Sequence, residues 1–374
     1  MRVLWTGTFD PEFSRNKKLA RLMNLSAVHW RVIRENVWAS DRVALASRPS
    51  LTVALRALIA YPKLLVRLLM APAPDVYLVS YPGWFDVPVV RLVASVRRRP
   101  LVFDPFLSLF DTMISDRGLR SATSLVGRLA AAIDRWSLRL ADVVIADTEP
   151  QLAFYRRIAG RLRGEGSVIA VGADDELFGP RPDVKPEAGV VLYYGNFIPL
   201  HGATTIVEAA ALLEPNGVKL VLIGDGPDRD VVEQAIARTG VSVERHGIIP
   251  LRELPAQVAR ATVCLGVFGG SQKAGRVIPH KVYEALAMRK PVVTREGAAV
   301  SAAFPNGGLV TVPPEDAHAL ADAVLALIED PSRREQVATV GHESYRDRFQ
   351  ERALAADLFV VLESSVESGR PVGP

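Results

Sequence analysis

The chain has 374 residues, 49% of them hydrophobic and 23% charged, which suits two domains with sizeable cores and excludes a disordered body. Its single cysteine, Cys264, rules out a disulfide framework within the chain and fits a reducing compartment. The net charge of +4 is unevenly spread: residues 1–140 carry 21 Lys+Arg against 10 Asp+Glu, and the rest carries 24 against 31. The opening Met1-Arg-Val-Leu-Trp-Thr-Gly7 lacks the apolar run of a signal peptide, so the expectation is a cytoplasmic protein. Four short apolar runs follow, each stopped by a small or polar residue: Val3–Trp5 at Gly7, Val76–Val79 at Ser80, Leu101–Phe103 at Asp104 and Val143–Ile145 at Asp147. They read as buried parallel strands, with amphipathic stretches such as Leu125–Leu140 between them.

The stretch Leu51–Met70 sets Arg56, Lys63 and Arg67 among Leu, Ile, Val and Tyr. It would suit an anionic membrane surface, assisted by Arg97–Arg99. A helix covering the sheet gives the same pattern, and nothing in the chain is apolar enough to span a bilayer. The basic charge arrives without any recognised nucleic-acid motif, so no nucleic-acid partner is expected.

The second half repeats the β-α alternation. Val190–Tyr194 runs into Gly195, Lys219–Ile223 into Gly224, Val243–His246 into Gly247, and Val263–Val267 into Gly269-Gly270, with Pro291–Thr294 after a helix. The fold class expected is therefore α/β, with two Rossmann-like doubly wound domains facing across a cleft. Residues 1–173 form the first domain, 174–188 a linker rich in Pro and charge, and 189–348 the second. Residues 349–366 form a helix returning to the first domain, and 367–374 a loose tail.

The informative segment runs from Gly269 to Val293. A glycine-rich basic loop reaches Pro279, a residue suited to the first turn of a helix. His280, Lys281 and Val282 would then offer backbone amides at the positive end of that helix, where phosphate binds readily. Lys273, Arg276 and Lys281 add full charges, so a diphosphate is the natural guest. Glu284 lies in Val282–Met288, a helix apolar on nearly every side. A buried carboxylate needs donors, and two ribose hydroxyls would serve. A pairing with Lys281 one turn away, or a narrow solvated stripe, would account for it equally well.

With those residues in view, the second half resembles family 4 of the retaining GT-B glycosyltransferases. The resemblance rests on Glu284-Ala-Leu-Ala287 before Lys290-Pro-Val-Val293, on Leu220–Pro227, His246-Gly-Ile248 and Glu253-Leu-Pro255, and on Val171–Phe178. It covers residues 140–350 well and the first 140 loosely. It implies transfer of a hexose-type sugar from a nucleoside diphosphate sugar to a hydroxyl acceptor, with retention and without a metal or other cofactor. It makes Glu284 the ribose ligand and Gly195, Asn196, His201, Gly224, Gly247 and Ile248 donor-binding. Two departures stand out. Arg276 occupies the place of the first Glu of the family's Glu-x7-Glu motif, near the reacting carbon. Asn196 and His201 stand where the family's phosphate loop carries Arg and Lys. The expectation is a relocated phosphate clamp, its charge supplied by Lys273 and Arg276 from the facing loop.

In the first half, Gly7 ends a strand and should bring its backbone to the donor. Arg15 and Asn16 are candidates for phosphate or acceptor contacts. Asp104 sits at a strand end where family members often place a catalytic His or Asp, and Asp111 and Asp116 follow as acceptor-side candidates. The acceptor itself, whether lipid-linked sugar, polysaccharide or small metabolite, is not written in these residues. Other chemistries find less support. Six histidines show no metal spacing, Gly224-Asp-Gly226 lacks the third glycine of a dinucleotide fingerprint, and no nucleotide triphosphatase loop or nucleophile elbow is present. Two other readings of the same architecture remain, a non-catalytic nucleotide-sugar-binding partner subunit and a sugar-nucleotide epimerase.

Overall fold

A computed structural model describes residues 1–38, 51–112 and 124–368. The chain divides into two compact units, one of Met1–Ala170 with the segment from Leu354 onward, the other of Val171–Ala353.

The first unit is a parallel sheet with helices between successive strands. Strands β1 (Arg2–Gly7), β2 (His29–Arg34), β3 (Val76–Ser80), β4 (Leu101–Asp104), β5 (Val143–Ala146) and β6 (Glu165–Val168) alternate with α1 (Ser14–Leu25), α2 (Leu51–Met70), α3 (Asp86–Val96), α4 (Leu125–Leu140) and α5 (Glu149–Ala159). The strand order is β2-β1-β3-β4-β5-β6. The central strands are buried along their length because helices cover both faces, which is why they read as unbroken apolar runs. Leu4, Tyr77, Val79, Phe103 and Val144 lie in the core, against Val87 and Val90 of α3. The start of α4 is fixed locally, since Ser124 Oγ accepts from the Gly127 amide.

In the second unit, β7 (Val190–Tyr194), β8 (Lys219–Ile223), β9 (Val243–His246), β10 (Val263–Leu265), β11 (Val292–Arg295) and β12 (Val310–Val312) form a parallel sheet in the order β12-β11-β10-β7-β8-β9. Its helices are α6 (Ala203–Leu213), α7 (Arg229–Thr239), α8 (Leu254–Arg260), α9 (His280–Ala287), α10 (Ala298–Ala303), α11 (Ala317–Glu329) and α12 (Pro331–Arg348). The last helix, α13 (Glu351–Ser368), belongs from Leu354 to the first unit, where Ser26 Oγ donates to the Ala355 carbonyl at 2.9 Å.

Each sheet has a point where the strand order reverses, between β1 and β3 in the first unit and between β7 and β10 in the second. Connections leave to opposite faces there, and ligands of doubly wound sheets bind beyond the strands' carboxyl ends at that point. The two candidate regions are thus the turns after β1 and β3, and those after β7 and β10.

The structure adds three strands to the expected set, β2, β6 and β12, all at sheet edges. The segment from Val171 to Gly189 is part of the second unit, where Asp175 accepts from the Tyr345 hydroxyl and from the Glu351 amide. The expected tail from Gly369 lies outside the described residues.

Candidate functional site

The switch point of the second sheet gathers most of the residues singled out in the sequence. β7 ends at Tyr194 and the chain turns at Gly195, whose φ is +140°. A side chain there would be strained and would meet Lys281 Nζ at 2.7 Å. Gly224, at the end of β8, has the same φ, and a Cβ on it would lie 1.9 Å from the Gly195 carbonyl oxygen. The two turns are pressed together, and only glycine permits it. The loop after β10 is tied to the same place. Phe268 N donates to the His201 carbonyl and Gly269 N to that of Leu200, while Arg295 Nη1 holds the carbonyls of Gly269 and Ser271.

Within the β7–α6 turn, His201 Nδ1 faces the Asn196 carbonyl and lies 2.9 Å from the Tyr193 hydroxyl. A carbonyl only accepts, so Nδ1 carries the proton. Burial, with the neighbouring Lys281 ammonium, pushes the imidazole pKa well below its ordinary value, and the ring is neutral. Asn196 is also uncharged, so His201 and Asn196 bring the turn no charge.

The cation comes from α9. Lys281 sits in its first turn, and helical side chains point back toward the helix start. The residue is 5% exposed, and its Nζ lies 4.0 Å from the centre of the Tyr193 ring. That ammonium has no hydrogen-bond partner among the described residues. Burial lowers its pKa to about 7, with Glu284 acting in the opposite sense. One turn on, Glu284 is half-buried, and the Tyr194 hydroxyl lies 2.9 Å from its Oε2 and 3.1 Å from the Lys281 carbonyl. Burial and the Glu284 charge hold the Tyr194 hydroxyl protonated, so it donates and fixes the carboxylate's direction.

The helix start differs from expectation in one respect. Pro279 is the capping residue and α9 begins at His280. The first turn is tight, and the Val282 amide donates to the Pro279 carbonyl at 3.1 Å, so it is not open to a ligand as expected. The amides of His280 and Lys281 stand at the helix start, and His280 Nδ1 faces the Gly172 carbonyl at 3.3 Å. In the preceding loop Lys273 is buried and Arg276 half-buried, with the Arg276 amide on the Lys273 carbonyl. Gly247 and Ile248 follow β9 on the rim, where Gly224 N bonds to the His246 carbonyl. Ile248 is exposed.

The first unit corrects several expectations. Arg15 and Asp104 are joined, Nε to Oδ2 at 2.7 Å, with both side chains fully buried. Arg15 Nη1 also donates to the Ala170 carbonyl at 3.1 Å. Burial raises the Asp104 carboxyl and Arg15 opposes it. Asn16 is fully buried too, its Nδ2 spent on the carbonyls of Asp10 and Tyr81. These three side chains are engaged within the fold, yet each keeps one buried polar atom without a hydrogen-bond partner among the described residues: Arg15 Nη2, Asn16 Oδ1 and Asp104 Oδ1. Asp111 is buried in a short helical turn held by Asp134, which accepts from Ser108 Oγ and from the amides of Leu109 and Phe110. Asp116 lies outside the described residues. Gly7 leads to Thr8, whose amide and hydroxyl both donate to Asp86, at 2.8 and 2.9 Å. Burial pushes that carboxyl up to about 6.

Sequence reasoning missed Tyr194, Arg295 and Asp86. Tyr194 carried one signal, a hydroxyl at the last position of a buried strand directly before glycine. No group of three or more His, Cys, Asp or Glu suited to a metal ion occurs among the described residues.

Two family models match, the glycosyl transferase 4-like domain over residues 24–172 and glycosyl transferases group 1 over residues 188–330. A lipopolysaccharide core biosynthesis glycosyltransferase, LpsE of Rhizobium meliloti, is 28% identical over 59% of this chain and 62% of its own length. The alpha-D-kanosaminyltransferase of Streptomyces kanamyceticus is 30% identical over 40% of this chain and 39% of its own. A GDP-mannose-dependent phosphatidylinositol monomannoside mannosyltransferase of Mycolicibacterium smegmatis is 27% identical over 53% and 56%. The chain thus spans less than two thirds of each of these relatives. Among solved structures, Anabaena HepE in complex with UDP and glucose superposes with a TM-score of 0.70 at 18% identity, covering 97% of this chain and all of that one. The sucrose-phosphate synthase of Thermosynechococcus elongatus gives 0.75 at 16% identity, covering 98% and 100%. Two parallel sheets with alternating helices, both family models in chain order and these superpositions agree: the chain belongs to the family 4-like GT-B glycosyltransferases.

Proposed function

We propose that the protein transfers a hexose-type sugar from a nucleoside diphosphate sugar to a hydroxyl acceptor in the synthesis of a glycan, glycolipid or glycosylated metabolite. One observation carries the reading: a half-buried carboxylate, Glu284, aimed by Tyr194, lies one helical turn from an unpartnered buried ammonium at the switch point of the second sheet. Glu284 accepts from the donor's ribose hydroxyls. Lys281, the amides at the start of α9 and the basic loop of Lys273 and Arg276 stabilise the diphosphate as it leaves and its charge grows. Protein cations carry that charge, which supports a metal-independent transfer. The GDP-mannose dependence in the mannosyltransferase's name and the UDP bound by HepE support a nucleotide-sugar donor. The family resemblance supports retention at the anomeric carbon, with Arg276 in the position of the motif's first carboxylate.

The test is a thermal-shift panel of UDP, GDP, ADP, CDP and dTDP, then the matching sugar nucleotides with and without acceptors. One diphosphate should raise Tm by several degrees. Glu284→Ala should weaken it by about 10²–10³-fold, because two charge-assisted hydrogen bonds are worth roughly 3–4 kcal/mol together, with the fold intact. Binding without turnover of any donor would point to a non-catalytic subunit. Release of free diphosphate with epimerised sugar and no acceptor would point to an epimerase.

The membrane reading also gains an observation. No helix of the described residues is long and apolar enough to cross a membrane, yet α2 exposes Leu58 and Ile59, each 71%, and Met70, 80%, beside Arg56. We propose that this face rests on an anionic bilayer at the cytoplasmic side. Vesicles with a third phosphatidylglycerol should sediment the protein, pure phosphatidylcholine vesicles should not, and Leu58→Ser with Ile59→Ser should abolish the difference. Equal binding to both vesicle types would remove the proposal.

A further inference from the structure

The amino ends of the first sheet border a cavity of about 790 Å3 that lies wholly within the first unit. Pro100, Asp142 and Gly164, the residues directly before β4, β5 and β6, line it together with Val360, Ser364 and Ser368 of α13. It is therefore at the edge of the sheet opposite the turns after β1 and β3. Its volume falls within the ~300–1,000 Å3 of small-molecule sites. Four arginines line it against two carboxylates, with five serines and no aromatic ring among the described residues.

The fold accounts for some of these charges and not for others. Asp142 accepts from Arg91 Nη1 at 2.6 Å, from Arg163 Nε at 2.9 Å and from the Leu101 amide at 2.8 Å. Arg91 is held again by Ser95 Oγ, which accepts from its Nε. One carboxylate thus answers two guanidiniums, and the other, Glu165, is exposed. The run Arg97–Arg99 divides its duties. Arg97 donates to the carbonyls of Leu69 and Ala71, and the charge of Arg99 acts on Asp75. Arg98 is exposed, and its guanidinium makes no hydrogen bond or ion pair among the described residues. Arg98 also holds a costly backbone position, left-handed at φ +52° where α3 ends. Its amide and that of Arg99 close the helix on the carbonyls of Ser95 and Ala94, so no side chain is needed as a cap. Glycine is the usual residue there because it takes that conformation without strain. The fold bears strain at Arg98 and gains no side-chain contact from it, a combination that gathers at functional sites.

We propose that this cavity binds a small phosphate ester with a hydroxyl-rich body, of the size of a hexose phosphate, and that Arg98 takes its phosphate. The planar fork of a guanidinium matches two phosphate oxygens at once. Arg99 and Arg163 add positive charge beside it. Ser167 and the serines of α13 both donate and accept, as hydroxyls of a sugar require. With no ring to stack on, a nucleobase has no place here, which separates this ligand from the nucleotide donor. None of the lining residues belongs to either switch point, so the ligand is a regulator and not a substrate. Its occupancy braces α13, whose first residues belong to the second unit, against the strand starts of the first.

The experiment is isothermal titration calorimetry of the full chain with glucose 6-phosphate, mannose 6-phosphate and glucose 1-phosphate, beside glucose and inorganic phosphate. At least one hexose phosphate should bind about tenfold more tightly than either glucose or inorganic phosphate, because each of those offers only half of the contacts. Arg98→Gly should weaken that binding by about tenfold or more, through loss of charge-assisted hydrogen bonds. Its unliganded Tm should be no lower than the parent's, because glycine relieves the backbone, so the loss is not one of folding. Ser364→Trp fills the cavity with every charge in place and should also abolish binding. Glu284→Ala should leave it unchanged. Equal affinity for inorganic phosphate would reduce the cavity to a patch of surface charge and overturn the proposal. So would binding by Arg98→Gly within about threefold of the parent, or no binding of any hexose phosphate to the parent. Loss of binding in Glu284→Ala would move the ligand to the donor site and overturn it equally. Failure of the donor reading leaves this cavity untouched, since the two share no residue.

Discussion

The carboxyl ends of the two sheets handle charge in opposite ways. In the first unit, charge is met by charge or by dedicated donors: Arg15 by Asp104, Asp86 by the amide and hydroxyl of Thr8, with Asn16 spent on two carbonyls. In the second unit the ammonium of Lys281 has no hydrogen-bond partner among the described residues, only the face of Tyr193, and the turn it touches has given up side chains at Gly195 and Gly224. The first arrangement pairs its full charges, though Arg15 Nη2, Asn16 Oδ1 and Asp104 Oδ1 have no hydrogen-bond partner among the described residues. The second is incomplete as a fold and makes sense as half of a complex, because an unmet buried charge costs stability that only a ligand returns. Two regions reached by the same topological rule therefore carry different duties. The switch point says where to look, and the state of the charges says what is found there.

The sharpest way to break this contrast is at the buried pair. Removing one partner of a fully buried ion pair strands the other, at a cost of about 3–5 kcal/mol. Arg15→Leu should lower the urea midpoint accordingly. Adding Asp104→Leu to it should recover much of the loss, because two apolar groups of similar volume leave no charge behind. The measurement is equilibrium unfolding of the parent, the two single variants and the double. If Arg15→Leu leaves stability within about 0.5 kcal/mol but abolishes turnover, Arg15 serves the substrate and the first unit does not pair its charges for the fold alone.

How much of this was legible in the sequence follows from which forces write it there. Strands β7 and β8 were delimited by apolar runs ending in glycine, β9 by the glycine after it despite its polar Glu244 and Arg245, and α4 by its amphipathic period. The edge strands β2, β6 and β12 were missed for a physical reason. Each has one side open, so residues such as Trp30, Arg31, Glu165 and Thr311 are exposed or half-buried and leave no continuous apolar run. At the site, Lys281 and Glu284 were legible because the helix start and the apolar surroundings are local. Their partners were not. Tyr194 is 90 residues from Glu284 and Asp104 is 89 from Arg15, and both meetings are set by strand order. Asp104 reads as a catalytic candidate for the same reason it meets Arg15: a carboxylate at the end of a buried strand must be answered, and the sequence does not say by what.

A smaller effect sharpens the contrast from the other side, in the unliganded protein. In the unfolded chain Lys281 keeps its proton up to about pH 10.5, the ordinary lysine value, whereas in the folded chain it loses it near 7. Between those values the unfolded state binds more protons, so this residue makes stability rise with pH. Below 7 the ammonium is charged in both states and the folding penalty is complete, on the order of 5 kcal/mol as an upper bound. Lys281→Met removes the penalty, keeps the packing of the stem and gives up a cation–π contact of about 1–2 kcal/mol. The variant should therefore be more stable than the parent by roughly 3 kcal/mol at pH 6, and the gain should shrink toward zero by pH 10. Parent and variant are compared by urea unfolding at each pH, which cancels every other titrating group. A pH-independent difference, or a loss of stability at pH 6, would mean the ammonium is already satisfied within the fold, and the second unit would then answer its charges as the first does.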